Sequence, residues 1–275
     1  MAAEHPRIGR SAAHVFPLRT WRRSIEKALT GRVRTRPTRP QGVAGPQVIA
    51  VEPAVVGTDL RRDTSPWHLE GIPRQGRLGD CWLIAPMLAL AVTRRQCLAD
   101  LLTVEADGII AVHFPGADAP LRVDRDMPVD AQGAFSGARV SAGAPGWVGV
   151  LEKAAAAQIA GGYRMLQRGF ACFGFALLLG TPTRTRLRLP SPAQAQQWAA
   201  EGRAMAVSTH PLSGLVRHGE RRIAPNHVYA LVGGDPQAGT LLLRNPVDPT
   251  TVLELDRRTF RLGFLAVDVT QPLGS

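Results

Sequence analysis

Residues 75–85 read QGRLGDCWLIA and carry the strongest structural signal in the chain. Gly76 and Gly79 allow the backbone to turn tightly before Cys81, and an uncharged apolar segment runs from Trp82 to Val92. Such a segment is typical of a buried helix. Cys81 is then expected at the N-terminus of this helix, where unpaired amide groups and the helix dipole favour a thiolate. A thiolate is the working form of a cysteine nucleophile.

The alternative for Cys81 is a buried structural cysteine, since free Cys is among the most buried residue types. The other two cysteines are Cys97 and Cys172. An odd number of Cys residues without CxxC spacing argues against a disulfide framework and against a structural zinc site. The seven His residues form no HExxH motif. We therefore predict no metal ligands and a chemistry based on reduced cysteine.

Positive charge is concentrated near the N-terminus. The formal net charge is +11, and residues 1–40 hold ten Lys or Arg against Glu4 and Glu26, a net +8 (10 − 2). Several prolines follow and exclude a long helix. Residues 1–66 are therefore predicted to be a basic, Pro/Arg-rich arm and linker without a stable fold. The arm could contact nucleic acid, an anionic membrane or an acidic partner, and a solvated leader is the alternative.

Hydropathy gives no sign of a membrane segment. No run of about 18 apolar residues occurs, so no membrane span is expected. The first residues also lack a basic and then apolar stretch followed by a small-residue cleavage site, which is the pattern of a signal peptide. We therefore expect a cytoplasmic protein, with secretion without a leader as an open alternative.

Beyond the Cys81 helix, helical patterns come first and strand patterns later. Helices are predicted from Trp147 to Ala160 and from Pro192 to Gly202, the second with Ser191 as its N-cap. Residues 127–133 are predicted to be a loop, and residues 181–192 a basic connector. Four β-rich runs are Met205–Thr209, Val228–Val232, Thr240–Arg244 and Phe264–Val269. This order predicts an α+β fold with two lobes and a cleft between them.

The other half of the candidate site lies in the strand-rich part of the chain. His227 is placed at the start of one predicted strand and Asn245 at the end of the next, 18 residues later (245 − 227). Two strands and a hairpin turn have about this length, so adjacent antiparallel strands would bring the two side chains together. Alone, His227 could be a structural histidine and Asn245-Pro246 a turn. Cys, His and Asn in this order form a thiol-protease constellation.

These segments together resemble the calpain family of cysteine proteases. The QGxLGDCW pattern of residues 75–82 looks like the active-site segment of that family. Further segments resemble the family in the right order: LRVDRDMPV at 121–129, WVGVLEKA at 147–154, NHVYALV at 226–232 and LRNP at 243–246. The resemblance covers about residues 67–270. It implies a papain-like catalytic domain at 67–275, with the Cys in a helical lobe (about 67–190) and the His and Asn in a β-rich lobe (about 191–270).

The resemblance also implies a function and a role for each residue. Cys81 resembles the nucleophile, His227 the general base and acid, and Asn245 the residue that orients the His. Gln75, together with the backbone N–H of Cys81, resembles the oxyanion hole. The implied activity is that of a cysteine endopeptidase acting on protein substrates. The family further implies Ca²⁺ dependence, although the sequence identifies no calcium ligand.

The sequence departs from the family pattern at two places. Val247-Asp248 follows Pro246, where the family carries Trp-Gly, so the shield over the catalytic pair is missing or comes from elsewhere. Pro86 replaces a small residue in the Cys81 helix, which therefore either kinks or begins later. Two alternatives stay open: a catalytically degenerate protease scaffold that binds a protein partner, or a transglutaminase or amidase with the same triad.

Overall fold

The computed structural model describes Gly57 and residues 59–141, 143–160 and 162–274. Most of the predicted arm, residues 1–56, lies outside this part. The α-helices within it are α1 (Cys81–Thr93), α2 (Gln96–Ala99), α3 (Gly146–Ala160), α4 (Ala171–Leu179), α5 (Pro192–Ala200) and α6 (Arg257–Gly263). Short 3-10 turns lie at Ala106–Gly108, Tyr163–Leu166 and Ser213–Leu215.

The strands of the described residues pair antiparallel throughout. Three small sheets have two strands each: β1 (Asp59–Arg62) with β6 (Asp126–Val129), β2 (Pro73–Arg74) with β7 (Arg139–Val140), and β10 (Arg217–His218) with β11 (Arg221–Arg222). A fourth small sheet has three strands in the order β3 (Leu102–Val104), β4 (Ile110–Val112), β5 (Leu121–Val123). A six-stranded sheet has the order β14 (Asp248–Asp256), β13 (Thr240–Asn245), β12 (Val228–Asp235), β9 (Met205–Thr209), β15 (Phe264–Val269), β8 (Arg184–Arg186). The chain is thus an α+β protein.

Helix α1 is the predicted buried helix. Every residue from Cys81 to Ala91 is buried. The helix packs against α4 on one side and against β12 and β9 on the other. An apolar sequence without a polar face is therefore required, because no side of α1 meets solvent over these three turns.

Pro86 lies inside α1, and the helix continues through it. Because proline has no N–H, the carbonyl of Trp82 loses its usual helical partner. Gly174 of α4 packs against this carbonyl: a Cβ at position 174 would lie 2.3 Å from the Trp82 oxygen and 2.9 Å from Pro86 Cγ. The close approach of α4 at this point therefore depends on a glycine.

Three regions that were predicted without strands contain them. Residues 127–129, predicted to be part of a loop, belong to β6, and this prediction was wrong because Pro128 is tolerated in an edge strand of a two-stranded sheet. The predicted connector contains β8, whose three residues are all exposed and therefore show no alternation. Residues 59–62, within the predicted arm and linker, form β1 and pair with β6, so the fold extends before Trp67.

Two apolar clusters lie on opposite faces of the six-stranded sheet. The first surrounds α1 and includes Val228 and Ala230 of β12, whereas the second includes the alternate residues Tyr229 and Leu231. This division follows from the two-residue period of a strand. It fixes α1 directly on one face of β12. Within the described ranges, no helix is long and apolar enough to cross a membrane.

Candidate active site

Cys81 is the first residue of α1 and lies where this helix meets the start of β12. Its side chain is next to the backbone N–H of Val228, the residue that follows His227. The residue is only 9% exposed. The packing of α1 on the sheet thus brings the predicted nucleophile to the strand that follows the predicted base.

His227 and Asn245 are in direct contact. His227 precedes β12 and Asn245 ends β13, and these two strands are antiparallel neighbours. The side chains meet with 2.9 Å between His227 Nε2 and Asn245 Oδ1. The backbone N–H of His227 donates to Thr209 Oγ1 at 2.9 Å, which anchors the residue to β9. The hairpin predicted from the 18-residue separation is therefore present.

The hydrogen bonds of Asn245 determine the tautomer of His227. Asn245 Oδ1 also accepts from the backbone N–H of Val247 at 3.0 Å, which fixes the amide with its oxygen toward both donors. His227 Nε2 must then carry the proton, since it faces an acceptor. In the neutral ring, Nδ1 is left with a lone pair and can accept a proton.

Gln75 is buried in the loop before α1. One N–H of its Nε2 donates to the carbonyl of Leu78 at 2.6 Å, and its backbone N–H donates to Pro246 O at 2.8 Å. The second bond ties the Cys81 loop directly to the Asn245 turn. An amide has two N–H groups, so Nε2 retains one donor for a ligand. Gly76 lets this loop pass close to the backbone at Ser136, because a Cβ at position 76 would lie 2.3 Å from the carbonyl oxygen of Ser136.

The thiol of Cys81 does not have the low pKa that its position at a helix N-terminus suggested. The pKa of Cys81 is raised to about 11, chiefly by burial, and an ionised carboxyl at Asp80 acts in the same direction. The N–H of Val228 acts in the opposite direction but is outweighed. The sequence-based expectation of a thiolate was wrong, because desolvation penalises the charged form more than the helix terminus stabilises it. The thiol carries its proton at neutral pH.

The imidazole of His227 is held in its neutral form. Burial lowers the pKa of His227 below its usual 6.5, and the hydrogen bond to Asn245 offsets only part of this effect. A neutral imidazole is the form that can accept a proton. Cys81 and His227 are thus both uncharged in the resting site.

An aromatic residue supports the His227 ring where the family Trp is missing. Val247, at the position of that Trp, is 46% exposed. The ring of Tyr229 instead packs edge-on against His227, with centroids 5.0 Å apart and planes at 86°. The sequence reasoning missed Tyr229, although its signal was present: residues two apart on a strand share a face.

Two buried carboxyl groups were also missed. Asp80 is 0% exposed and Glu152 is 1% exposed, so both side chains lie in the protein interior. Glu152 stands in the predicted α3 among apolar residues, and an acidic residue at such a position signals a buried polar contact. Asp80 is the N-cap of α1, but its side chain makes no capping hydrogen bond.

A small pocket of about 60 Å³ opens beside Asn245. Basic side chains of the β10–β11 hairpin line one side of it, including His218 and Arg222. Arg221 reaches across to Asp248, with 3.5 Å between Nη1 and Oδ2. The pocket gives room for a ligand side chain next to Asn245.

The residues that would bind the Ca²⁺ implied by the family are not identified among the described side chains. No three His, Cys, Asp or Glu side chains converge there as a set that could hold an ion. The two acidic side chains nearest Cys81 are fully buried and contact each other.

A comparison with protein-family models finds a match over more than half of the chain. A family model described as calpain family cysteine protease matches residues 70–246, a segment of 177 (246 − 70 + 1) of the 275 residues. This segment runs from the loop before Gln75 to the turn after Asn245. A search of curated proteins finds no match to the chain. The chain belongs to the calpain family of cysteine proteases.

Proposed function

We propose that the protein is a cysteine-type endopeptidase that hydrolyses peptide bonds through Cys81, His227 and Asn245. The observation that supports this most strongly is the 2.9 Å contact of His227 with Asn245, at the start of the strand that lies against Cys81. Family membership makes protein chains the expected substrates. The cleaved sequence is to be found by experiment.

Proton transfer accompanies attack in the proposed mechanism. The pKa of Cys81 is raised to about 11 and that of His227 is lowered, so a thiolate–imidazolium pair is disfavoured before substrate binds. His227 Nδ1 therefore takes the thiol proton as the sulfur bonds to the substrate carbonyl carbon. Asn245 holds the ring with Nε2 protonated throughout.

The oxyanion formed in this step needs donors that are already in place. The free N–H of Gln75 Nε2 and the backbone N–H of Cys81 are proposed for this role. The first N–H groups of a helix have no acceptor within the helix, so the Cys81 amide is available. Each donor is expected to lower the barrier by about 3–4 kcal/mol.

The remaining steps return the enzyme to its starting state. The imidazolium of His227 gives its proton to the leaving amine, the C–N bond breaks, and a thioester to Cys81 remains. His227 then takes a proton from water, whose oxygen attacks the thioester. The C–S bond breaks, the acid product leaves, and the thiol regains its proton.

Several broader expectations belong to the same proposal. We infer a papain-like arrangement of two lobes, in a catalytic domain that already includes β1 at Asp59–Arg62, and a basic arm before it that contacts anionic partners. A cytoplasmic location and Ca²⁺ dependence also stay predictions, the second from the family alone. Hydrolysis measured in EGTA and in excess Ca²⁺ tests the ion dependence, and equal rates would reject it.

Digestion of an unfolded protein such as casein tests the proposal. The wild type should release peptides, and Cys81→Ala should release none while keeping its circular dichroism spectrum. Cys97→Ala is the matched control, because Cys97 lies in α2 outside the site and should be dispensable. Equal peptide release by the wild type and Cys81→Ala would reject the proposal.

The alternative of a degenerate scaffold is favoured by one observation, the raised pKa of Cys81. A thiol that stays protonated is inert in many proteins. Under this alternative the chain binds peptides, but neither the wild type nor Cys81→Ala cleaves them. Mass spectrometry of the products also separates hydrolysis from the deamidation or cross-linking expected of an amidase or transglutaminase.

A further inference from the structure

Two buried carboxyl groups meet behind Cys81 without a counter-ion. Asp80 comes from the loop before α1 and Glu152 from α3, and both are fully buried. Neither forms an ion pair with a Lys or Arg of the described residues. The nearest cation in sequence, Lys153, is bound by Asp124 at 2.6 Å and by the carbonyl of Asp126 at 2.8 Å. The pair therefore has no positive partner.

The contact between the two groups requires a proton. Both oxygens of Asp80 and Oε1 of Glu152 receive no hydrogen bond from an N–H or O–H of any other described residue, apart from their contact with each other. Two carboxylates cannot donate to each other, so their side-chain contact is a hydrogen bond only when one of them is protonated. Two unpaired negative charges in the interior would also be strongly unfavourable. The pair thus carries one charge and one proton.

The surroundings indicate which partner holds the proton. Glu152 Oε2 accepts the backbone N–H of Ala138 at 3.0 Å, which stabilises a charge on Glu152. Asp80 has no comparable donor from another residue. Burial and the charge of Glu152 raise the pKa of Asp80 well above its usual value. Glu152, whose pKa burial raises to about 7, is therefore the first of the two groups to ionise as pH rises, and the group next to Cys81 stays neutral.

The other titratable groups around the pair supply no positive charge that would stabilise two ionised carboxylates. The hydroxyl of Tyr163 is buried without a partner, and burial together with Glu152, Asp80 and Asp124 raises its pKa. Tyr163 thus stays neutral and adds no positive charge. On the α1 side the facing group is the thiol of Cys81, which an ionised Asp80 would disfavour as thiolate.

We propose that Asp80 and Glu152 are positioning residues that share one proton, which Asp80 keeps, so that no negative charge adjoins the Cys81 sulfur. This inference rests on the proposed function only in taking Cys81 as the reacting group. Glu152 acts at a distance by drawing the charge away from the thiol. The N-cap carboxyl gives up its usual capping bond to α1 in favour of this contact.

Two isosteric variants should change the reactivity of Cys81 in different directions. In Glu152→Gln the new amide oxygen takes the Ala138 N–H, which leaves the NH₂ to donate to an ionised Asp80 beside the sulfur. Alkylation of Cys81 by iodoacetamide at about pH 8, above the pKa of Glu152, should then slow by about tenfold, the effect of one pKa unit. In Asp80→Asn no charge can form beside the thiol, so alkylation should be as fast as in the wild type or faster.

The matched control is Asp268→Asn. Asp268 is a buried acid of β15 that acts on Cys172 and not on Cys81. This variant should change the labelling of Cys172 and leave that of Cys81 unchanged. Peptide-level mass spectrometry follows the three cysteines separately. Alkylation of Cys81 slowed equally in Asp80→Asn and Glu152→Gln would overturn the inference, because loss of structure alone would act in the same direction in both.

A measurement without either variant guards against misfolding. The infrared spectrum of Asp268→Asn at about pH 6 should retain a protonated-carboxyl band, since ordinary carboxyl groups are ionised there. Absence of that band would also overturn the inference. None of these readouts uses peptide hydrolysis, so a failure of the proposed function in the casein assay is distinguishable from a failure here.

Discussion

His227 Nε2 and Asn245 Oδ1 are 2.9 Å apart, joined across two neighbouring antiparallel strands. The strand pairing sets this contact, because the register of β12 against β13 places the start of one strand beside the end of the other. The Asn245 oxygen is held in turn by the N–H of Val247. The orientation of the imidazole is therefore built into the hairpin.

Removing the Asn245 side chain should impair catalysis more than folding. In Asn245→Ala the ring of His227 loses its only side-chain hydrogen bond among the described residues, so the ring is no longer held in the orientation that the proposed proton transfer requires. We expect kcat/KM to fall by roughly 10²-fold, the effect of a small misplacement of a catalytic group. Steady-state hydrolysis of a fluorogenic peptide measures this, with Asn245→Asp as the variant that keeps an acceptor. Unchanged kcat/KM in Asn245→Ala would contradict the assigned role.

The acid limb of the pH profile should reflect His227. Its pKa is lowered from 6.5 by burial, so kcat/KM should fall with decreasing pH only below 6.5, when the protonated ring can no longer accept the thiol proton. In Asn245→Ala the hydrogen bond that raises this pKa is lost, and the limb should move to still lower pH. A limb that inflects above 6.5, or moves upward in the variant, would be inconsistent with this assignment.

The stability of the protein should depend on pH through Glu152. Burial raises its pKa from 4.5 to about 7, so the unfolded chain releases a proton in this window that the folded chain keeps. The free energy of unfolding therefore decreases as pH rises from 4.5 to about 7. Relative to the wild type, Glu152→Gln should gain up to roughly 3 kcal/mol over that window.

Urea denaturation at both ends of the window measures this difference. Glu254→Gln, at an exposed position of β14, is the control and should run parallel to the wild type. A stability difference between Glu152→Gln and the wild type that does not change between pH 4.5 and about 7 would show that Glu152 is already ionised throughout this window and would contradict the prediction.

The contact of α4 with α1 should tolerate no side chain at Gly174. Its Cβ would meet the Trp82 carbonyl at 2.3 Å, and a backbone atom cannot move aside by changing rotamer. We expect Gly174→Ala to lower the free energy of unfolding by about 1–3 kcal/mol despite the better helix propensity of Ala. Gly162→Ala is the control, since a Cβ there meets no atom within 4 Å. Equal stability of the two variants in urea denaturation would refute the proposed packing.

The elements that could be predicted from the sequence are those whose burial requires a recognisable pattern of apolar residues. Helix α1 is buried on every side and reads as a continuous apolar run. Strands β9 and β15 were predicted with the bounds they have, because they are apolar and central in the sheet. Ser191 was predicted as the N-cap of α5, and its Oγ accepts the Gln194 N–H at 3.2 Å.

Other elements could not be found because backbone pairing alone defines them. Strand β8 is exposed along its whole length, and β14 carries Pro249 and two threonines at its start, so neither shows an apolar face. Strand β6 includes Pro128, which normally argues against a strand. These are strands at the edges of their sheets, where sequence is least constrained.

The candidate site shows the same division. Residue types and their order pointed to Cys81, His227 and Asn245, and the last two are in contact. The protonation of the thiol was not predictable, because it depends on burial and on Asp80. Asp80 in turn is paired with Glu152, 72 positions away (152 − 80), and that contact exists only after folding.

The most direct test of the account is covalent labelling with a peptidyl fluoromethyl ketone, which reacts only where a thiol and an imidazole act together. Mass spectrometry of the digested protein locates the adduct. The account predicts one adduct, on Cys81, that forms in the wild type and in Cys97→Ala but not in His227→Ala. An adduct on Cys97 or Cys172 instead, or undiminished labelling of Cys81 in His227→Ala, would contradict it.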